Sequence, residues 1–118
     1  MRVLIVDDSG VMRKLVARAL RQAGIAPDKV LEAGDGVEGL KVLADNSVDL
    51  IVSDWNMPNM DGLTFVKELR KTIQTPVVII TTEGGESKVA EAMANGANGH
   101  IKKPFTPDML EEVIGPLV

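Results

Sequence analysis

Five residues that could do chemistry stand at or just past the end of an apolar run of the chain: Asp7, Asp8, Asp54, Thr81 and Lys103. Clustered carboxylates suit a hard, oxygen-seeking cation, and a site with few protein ligands suits Mg²⁺ better than Ca²⁺. A carboxylate beside such a cation can act as a nucleophile towards a phosphoryl group, because the cation offsets the repulsion between two anions. These residue types therefore predict Mg²⁺ as the cofactor and phosphoryl transfer to an aspartate as the chemistry.

Asp54 is the residue that these patterns single out as the nucleophile. Residues 50–53 lead into it as a largely apolar, buried strand, and residues 56–62 are typical of a turn. The Asp54 carboxylate is therefore predicted at the carboxyl end of a strand, at the edge of an α/β sheet where ligands bind. Lys103 can supply a second positive charge there, and Thr81 can supply a hydroxyl that donates to a phosphoryl oxygen.

Apolar runs and stripes of helical period alternate along the chain. Short apolar runs predict five strands, at residues 3–6, 30–33, 50–54, 77–80 and 99–102. A helix is predicted after each strand, the first starting near Ser9 and the last near Thr106. This alternation predicts an α/β fold: a single-domain, doubly wound, five-stranded parallel sheet with five helices. All five candidate residues would then converge on one edge of the sheet.

Some apolar side chains also have predicted places in this fold. Met12, Met93 and Met109 recur at helical spacing, which predicts that they pack in the core, with Met93 on the inward face of the fourth helix. Trp55 follows the nucleophile directly and is interpreted as a loop residue that partly covers the site.

The composition limits the class of protein. With 118 residues, 45% of them apolar and 25% charged, the chain fits one domain with its own core. The absence of cysteine excludes disulfides and thiolate metal sites. Nothing in the sequence resembles a signal peptide or a membrane span, and a net charge of −4 without a basic cluster argues against nucleic-acid binding. We therefore expect a cytoplasmic module whose partners are neither membranes nor nucleic acids.

The candidate residues carry a family resemblance. In their order and spacing, Asp7-Asp8, Asp54, Thr81 and Lys103-Pro104 resemble the receiver domain of bacterial two-component response regulators, over essentially the whole chain. Residues 53–63 are especially similar to the chemotaxis regulators of that family, including the uncommon tryptophan after the acceptor. The resemblance implies a flavodoxin-like fold with strand order 2-1-3-4-5. We expect residues 1–118 to form one receiver domain, standing alone without an output domain.

The resemblance implies a role for each residue that matches. Asp54 would accept a phosphoryl group from a histidine kinase. Asp8, Asp54 and the backbone carbonyl of Asn56 would bind Mg²⁺ directly, and Asp7 would help through a water molecule. Lys103 would pair with the phosphoryl oxygens.

Other matching residues would turn phosphorylation into a signal. Thr81 would move towards the phosphoryl group, whose charge of about −1.5 to −2 would bias a face formed by residues 82–105. His100 stands where the family usually has Tyr or Phe as its switch; it either swings between buried and exposed positions or is merely tolerated, and its imidazole can charge near neutral pH. Asn56 and Glu83 occupy positions that tune loss of the phosphoryl group, and both match chemotaxis members. This predicts a short-lived phosphorylated state.

Three departures from the chemotaxis regulators leave the downstream partner open. Besides His100, the departures are Gly84-Gly85-Glu86 and Val113, which stand where those regulators carry lysines on the face that binds the flagellar motor switch. We expect a monomer that a histidine kinase phosphorylates and that binds a downstream protein, such as the flagellar motor switch or a phosphatase. The alternative is a phosphorelay intermediate or a receiver that regulates a kinase.

Two other classes of protein share parts of the pattern. Mg²⁺-dependent phosphohydrolases of the haloacid dehalogenase type usually carry a second acid two residues after the nucleophile, where this chain has Asn56. A flavodoxin-like flavin binder would have a Gly/Ser/Thr-rich loop after its first strand, where this chain has Asp7-Asp8. We therefore expect a signalling protein that catalyses its own phosphorylation and dephosphorylation, not an enzyme acting on small molecules.

Overall fold

The computed structural model describes residues 1–82 and 86–118, with Glu86 described through its backbone only. The strands are β1 (Arg2–Val6), β2 (Lys29–Ala33), β3 (Leu50–Asp54), β4 (Val77–Thr81) and β5 (Gly99–Lys102). The helices are α1 (Gly10–Gln22), α2 (Gly36–Asp45), α3 (Gly62–Leu69), α4 (Glu86–Ala94) and α5 (Pro107–Ile114), and a 3₁₀ turn follows at Gly115–Leu117.

The five strands form one parallel sheet in the order β2-β1-β3-β4-β5. The predicted fold class and strand order are therefore confirmed. Because each strand runs in the same direction, all five carboxyl ends lie at one edge of the sheet. The chain reverses its direction of travel across the sheet between β1 and β3, and this switch point opens a crevice at that edge.

Apolar side chains cover both faces of the sheet. Successive residues of a strand point to opposite faces, so Val3 and Ile5 of β1 join one cluster while Leu4 and Val6 join the other. The first cluster includes buried residues of α1 and α5, and the second includes Phe65 and its neighbours in α3. Both faces of the central strands are thus buried, which explains why their sequences read as continuous apolar runs.

Side-chain caps fix where four of the helices begin. Ser9, Asp35, Asp61 and Thr106 each accept a hydrogen bond from the backbone N–H three residues later. Each cap satisfies an N–H group that has no partner within its helix. The predicted starts near Ser9 and Thr106 are confirmed, and these caps also fix the loops that precede the helices.

One expectation about apolar side chains is wrong. Met93 is 41% exposed, whereas Ala92 is buried, so the inward stripe of α4 is narrower than its spacing predicts. Met93 lies one residue from Ala92, which rotates it about 100° around the helix. Trp55 lies in the loop directly after β3, as predicted, and its side chain is buried in the second cluster. Met12 and Met109 are half-buried and pack against the first cluster, as expected.

None of the helices in the described part of the chain is both long and apolar enough to span a membrane.

Candidate functional site

The two central strands bring the predicted acids together. Val6 of β1 and Ser53 of β3 are register partners in the parallel sheet. Asp7 and Asp54 are the next residues of their strands' paths, so they stand side by side at the carboxyl edge. This is the switch point at which ligands bind in open α/β sheets.

The carboxylates of Asp7, Asp8 and Asp54 form one cluster in this crevice. One oxygen from each lies within 4.8 Å of the others. Asp7 and Asp54 are buried, whereas Asp8 is exposed, so the cluster opens to solvent on one side. Three oxygen donors with an open side fit a hard divalent cation that keeps several water ligands, as Mg²⁺ does.

Lys103 provides the positive charge of the crevice. Its Nζ lies 3.3 Å from Asp54 Oδ1 and 3.5 Å from Asp7 Oδ2. The lysine side chain is only 15% exposed, so solvent screens these ion pairs less than it screens surface pairs. Its backbone N–H donates to the carbonyl of Thr81 at 2.8 Å, which ties the end of β4 to the segment after β5.

Local hydrogen bonds orient the two buried carboxylates. The N–H of Trp55 donates to Asp54 Oδ1 at 2.9 Å, and the N–H of Ser9 donates to Asp7 Oδ1 at the same distance. The guanidinium of Arg13 donates to the backbone carbonyl of Asp7 at 2.5 Å. Each acid is therefore held in one orientation before any ligand arrives.

The protonation of Asp54 reflects opposing influences. Burial raises the pKa of this carboxyl above its usual 3.8, the Lys103 ammonium lowers it, and the neighbouring Asp7 raises it again. The net direction is upward. A raised pKa makes the carboxylate a better nucleophile and a better cation ligand once it is ionised, because burial has removed part of its hydration.

The structure also locates the remaining predicted residues. Thr81 is buried at the end of β4, and Asn56 is exposed two residues after Asp54. His100 is exposed on the edge strand β5 and lines a small cleft together with Thr81 and Lys88. Glu83, predicted to tune loss of the phosphoryl group, lies outside the described residues, as do Gly84 and Gly85.

Other residues at the site were not predicted from the sequence. Lys88 of α4 holds its ammonium 5.8 Å from the centre of the Trp55 ring, within range of a cation–π interaction. Asp35 accepts a hydrogen bond from Asn59 and so connects the loop after β2 to the loop after β3. A turn signal at Gly34-Asp35-Gly36 was visible in the sequence, but its partner was not.

An open groove of about 590 Å³ lies beside the crevice, between α1 and the start of α5. Its walls are mostly apolar and include Met12, Leu15 and Phe105. Lys103 also lines the groove. Leu15 is 47% exposed although it belongs to the apolar stripe of α1.

A parallel sheet in this order, with three acids and a lysine at its switch point, defines a receiver-type α/β domain. Residues 3–115 match the response regulator receiver domain family, and the chain belongs to that family. Members of this kind are signalling proteins rather than conventional enzymes.

Within the family, the chain is a receiver domain of the CheY type. It is 44% identical to a chemotaxis protein CheY homolog of Campylobacter jejuni, in an alignment covering 95% of this chain and 88% of the relative. It is 42% identical to chemotaxis protein CheY1 of Helicobacter pylori, with 95% and 92% covered. A solved structure of Vibrio cholerae chemotaxis protein CheY4 superimposes with a TM-score of 0.86 at 39% identity, covering 99% and 98% of the two chains.

Proposed function

We propose that this protein is a phosphorylation-controlled switch in which Asp54 accepts a phosphoryl group from a histidine kinase. The observation that carries the proposal is the buried Asp54 carboxylate, 3.3 Å from the Lys103 ammonium and clustered with Asp7 and Asp8. A nucleophile, a fixed cation and a set of oxygen donors for a metal meet at one point. Phosphoryl transfer requires little more than this positioning and charge neutralisation.

The transfer itself needs one bond to form and one to break. Asp54 Oδ1 is engaged by the Trp55 N–H and lies near Lys103, so Oδ2 is the oxygen expected to attack phosphorus. The phosphorus–nitrogen bond of the donor phosphohistidine breaks, and its electron pair stays on the imidazole nitrogen. Water later attacks the phosphorus atom, the bond between phosphorus and the Asp54 oxygen breaks, and inorganic phosphate leaves, which returns Asp54 to its free carboxylate.

The acid cluster fits Mg²⁺ by the chemistry of its donors. Asp8, Asp54 and the backbone carbonyl of Asn56 would hold the ion directly, and Asp7 would hold it through water. When bound, Mg²⁺ neutralises charge on the phosphoryl oxygens and on the attacking carboxylate. The exposed side of Asp8 leaves room for the water ligands that Mg²⁺ retains.

Lys103 and Thr81 would respond to the new charge. Lys103 contacts two carboxylates in the free protein and would exchange part of this contact for the phosphoryl oxygens. The Thr81 hydroxyl would turn towards the same oxygens. Because Thr81 and His100 line the same cleft, this movement would change the surface formed by α4 and β5, which carries the signal.

The phosphodonor is proposed to reach Asp54 by binding in the groove beside the crevice. The apolar walls of the groove border Lys103, and Arg18 of α1 also lies in its lining. The other basic residues of α1 line a separate cleft beside that helix: Arg13, Lys14 and Arg21. An apolar helix of the kinase with an acidic rim would suit both features and would bring its phosphohistidine to Asp54.

We propose that the protein acts alone as a monomeric, cytoplasmic regulator in chemotaxis. Support comes from its CheY-named relatives, which it matches over 88% and 92% of their own lengths. The downstream partner would be the flagellar motor switch or a phosphatase. His100 and Val113 distinguish its binding surface from that expected of a chemotaxis regulator, and Asn56 with Glu83 supports a short-lived phosphorylated state.

The test uses the fluorescence of Trp55, next to the acceptor, together with intact mass. Adding Mg²⁺ and then acetyl phosphate should give two successive changes and a mass increase of one phosphoryl group. Asp54→Asn should abolish the second change and the mass increase. Asp45→Asn, an exposed aspartate at the end of α2, is the matched control and should label normally. Labelling that persists in Asp54→Asn would overturn the proposal.

A further inference from the structure

The loop between β3 and α3 is held tightly at its two ends. The N–H of Gly62 donates to the carbonyl of Trp55 at 2.8 Å, which closes the loop on itself. A Cβ at Gly62 would lie 2.5 Å from the carbonyl oxygen of Asp54, so a larger residue cannot take this position without a backbone shift. Residues 55–61, here called the acceptor loop, therefore have fixed ends beside Asp54.

The middle of the acceptor loop is in an unusual conformation. Asn59 has φ of +65°, the one positive φ at a residue other than glycine in the described part of the chain. Asparagine tolerates this conformation better than most residues, but such backbone persists only where the surroundings hold it. The Asn59 side-chain amide donates to Asp35 Oδ2 at 2.8 Å, across a sequence separation of 24 residues.

Asp35 is itself firmly anchored. Its Oδ1 accepts from the N–H of Glu38 and caps α2, while Oδ2 accepts from Asn59. The helix N–H first, and Asn59 second, hold the pKa of Asp35 below its usual value. Beside it, a Cβ at Gly36 would lie 2.8 Å from Met60, so the turn before α2 also packs against the acceptor loop.

We propose that the Asn59–Asp35 hydrogen bond sets the conformation of the acceptor loop and thereby aims the Asn56 carbonyl at the metal site. Asn59 and Asp35 are then positioning residues for Mg²⁺ binding. The inference rests on the proposed function, because it takes the Asn56 carbonyl as a metal ligand. Mg²⁺ demands near-ideal octahedral geometry, so a small displacement of one ligand weakens binding.

The alternative explanation is that the Asn59–Asp35 hydrogen bond only stabilises the fold. In that case, breaking the bond would lower the unfolding midpoint but leave the Mg²⁺ affinity of the folded protein unchanged. The two explanations therefore separate when affinity and stability are measured on the same variants.

Three variants make this test. Asn59→Gly keeps the backbone conformation accessible and removes the hydrogen bond without changing net charge. The double variant Asp35→Asn with Asn59→Asp reverses donor and acceptor, keeps an oxygen to cap α2, and also preserves net charge. Asn46→Ala removes a side-chain amide whose oxygen accepts a hydrogen bond from the Arg2 guanidinium at the opposite edge of the sheet. This variant serves as the matched control.

Mg²⁺ affinity is measured by titration of the amide NMR signals, beside thermal unfolding of the same samples. Asn59→Gly should bind Mg²⁺ about tenfold more weakly, at the low end of what loss of a ligand's supporting hydrogen bond costs. The reversed pair should recover most of this loss, and Asn46→Ala should bind as the wild type does. Unchanged affinity in Asn59→Gly, or no recovery in the reversed pair, would overturn the inference.

A second readout needs no metal. In metal-free protein, the backbone N–H groups of residues 56, 57 and 59–61 should exchange with solvent faster in Asn59→Gly and return towards the wild-type rates in the reversed pair. Equal exchange rates in the wild type, Asn59→Gly and the reversed pair would show that the Asn59–Asp35 hydrogen bond does not order the loop. If the wild type binds no Mg²⁺ at all, the proposed metal chemistry fails, while the exchange data still decide whether the bond sets the loop.

Discussion

Charged groups gather at both edges of the sheet, but their surroundings differ. At the carboxyl edge, the side chains of Asp54 and Asp7 are 9% and 6% exposed where they meet Lys103. At the amino edge, the amine of Met1 pairs with Asp28, whose side chain is 84% exposed. The Arg2 N–H donates to exposed Asp49 at the same edge.

The comparison separates buried charges, for which a binding role is proposed, from exposed charges that only join neighbouring segments of the fold. Around exposed Asp28 and Asp49, water competes for every contact and screens it, so each interaction contributes little. Around Asp54, desolvation raises the pKa, and the role proposed for this carboxylate depends on the burial that causes the shift. The amino edge therefore provides a baseline against which changes at the carboxyl edge can be judged.

The largest effect should follow from Lys103→Met, which removes the cation of the buried cluster. Labelling of Asp54 by acetyl phosphate should slow by about 100-fold, because a fixed charge aimed at the reacting group is lost. Intact mass over time measures the rate. Lys71→Met, whose ammonium forms an exposed pair with Glu68, is the control and should label at the normal rate. Equal rates in both variants would remove the distinction between buried and exposed charge.

A smaller effect should follow from Gly62→Ala, which tests how tightly the carboxyl edge is packed. The added Cβ would meet the backbone of Asp54 and Trp55, so the free energy of unfolding should fall by about 1–3 kcal/mol. Urea denaturation measures it. Gly115→Ala is the matched control, because its Cβ would meet nothing within 4 Å and its backbone is helical. A Gly62→Ala protein as stable as the control would mean that the loop can shift at little cost.

The free energy of unfolding of Asp54→Asn should exceed that of the wild type in metal-free buffer, increasingly so as pH rises. The folded-state pKa of Asp54 lies above 3.8, so its stabilising contribution is complete below that pH and is lost as pH rises through the folded pKa. The amide does not titrate. The advantage of the variant should grow as pH rises through the folded-state pKa and then level off, measured by urea denaturation. An advantage independent of pH would assign it to packing instead.

The smallest effect should follow from Asp49→Ala at the amino edge. It removes one exposed acceptor of the Arg2 N–H, and the free energy of unfolding should change by at most about 0.5 kcal/mol. Acetyl phosphate labelling should be unchanged. A loss as large as that in Gly62→Ala would show that the two edges are equally critical for stability.

Much of the site could be predicted because strand ends are local features. Apolar runs that stop at Asp7 and at Asp54 identify two buried strands, and parallel strands must end at one edge. Lys103 follows the last strand in the same way. The convergence of these residues therefore required no knowledge of any long-range contact.

What the sequence did not predict depends on how neighbouring elements pack together. Met93 has the spacing of a buried residue, but the width of the buried stripe depends on what packs beside α4. Trp55 directly precedes a turn signal, and nothing in that signal indicates that its ring joins a core cluster with Phe65 and Ile79. Sequence spacing gives the direction of a side chain on its own element and not the shape of the space it enters.

The sequence by itself determined the order of strands and helices, the acids at the strand ends and the family to which the chain belongs. The tertiary structure alone decided which of those acids are buried, that Lys103 bridges Asp7 and Asp54, and that Asn59 reaches Asp35. The physical reason is range: hydrophobic period and capping act over a few residues, whereas desolvation and loop-to-loop hydrogen bonds exist only after distant segments have packed together.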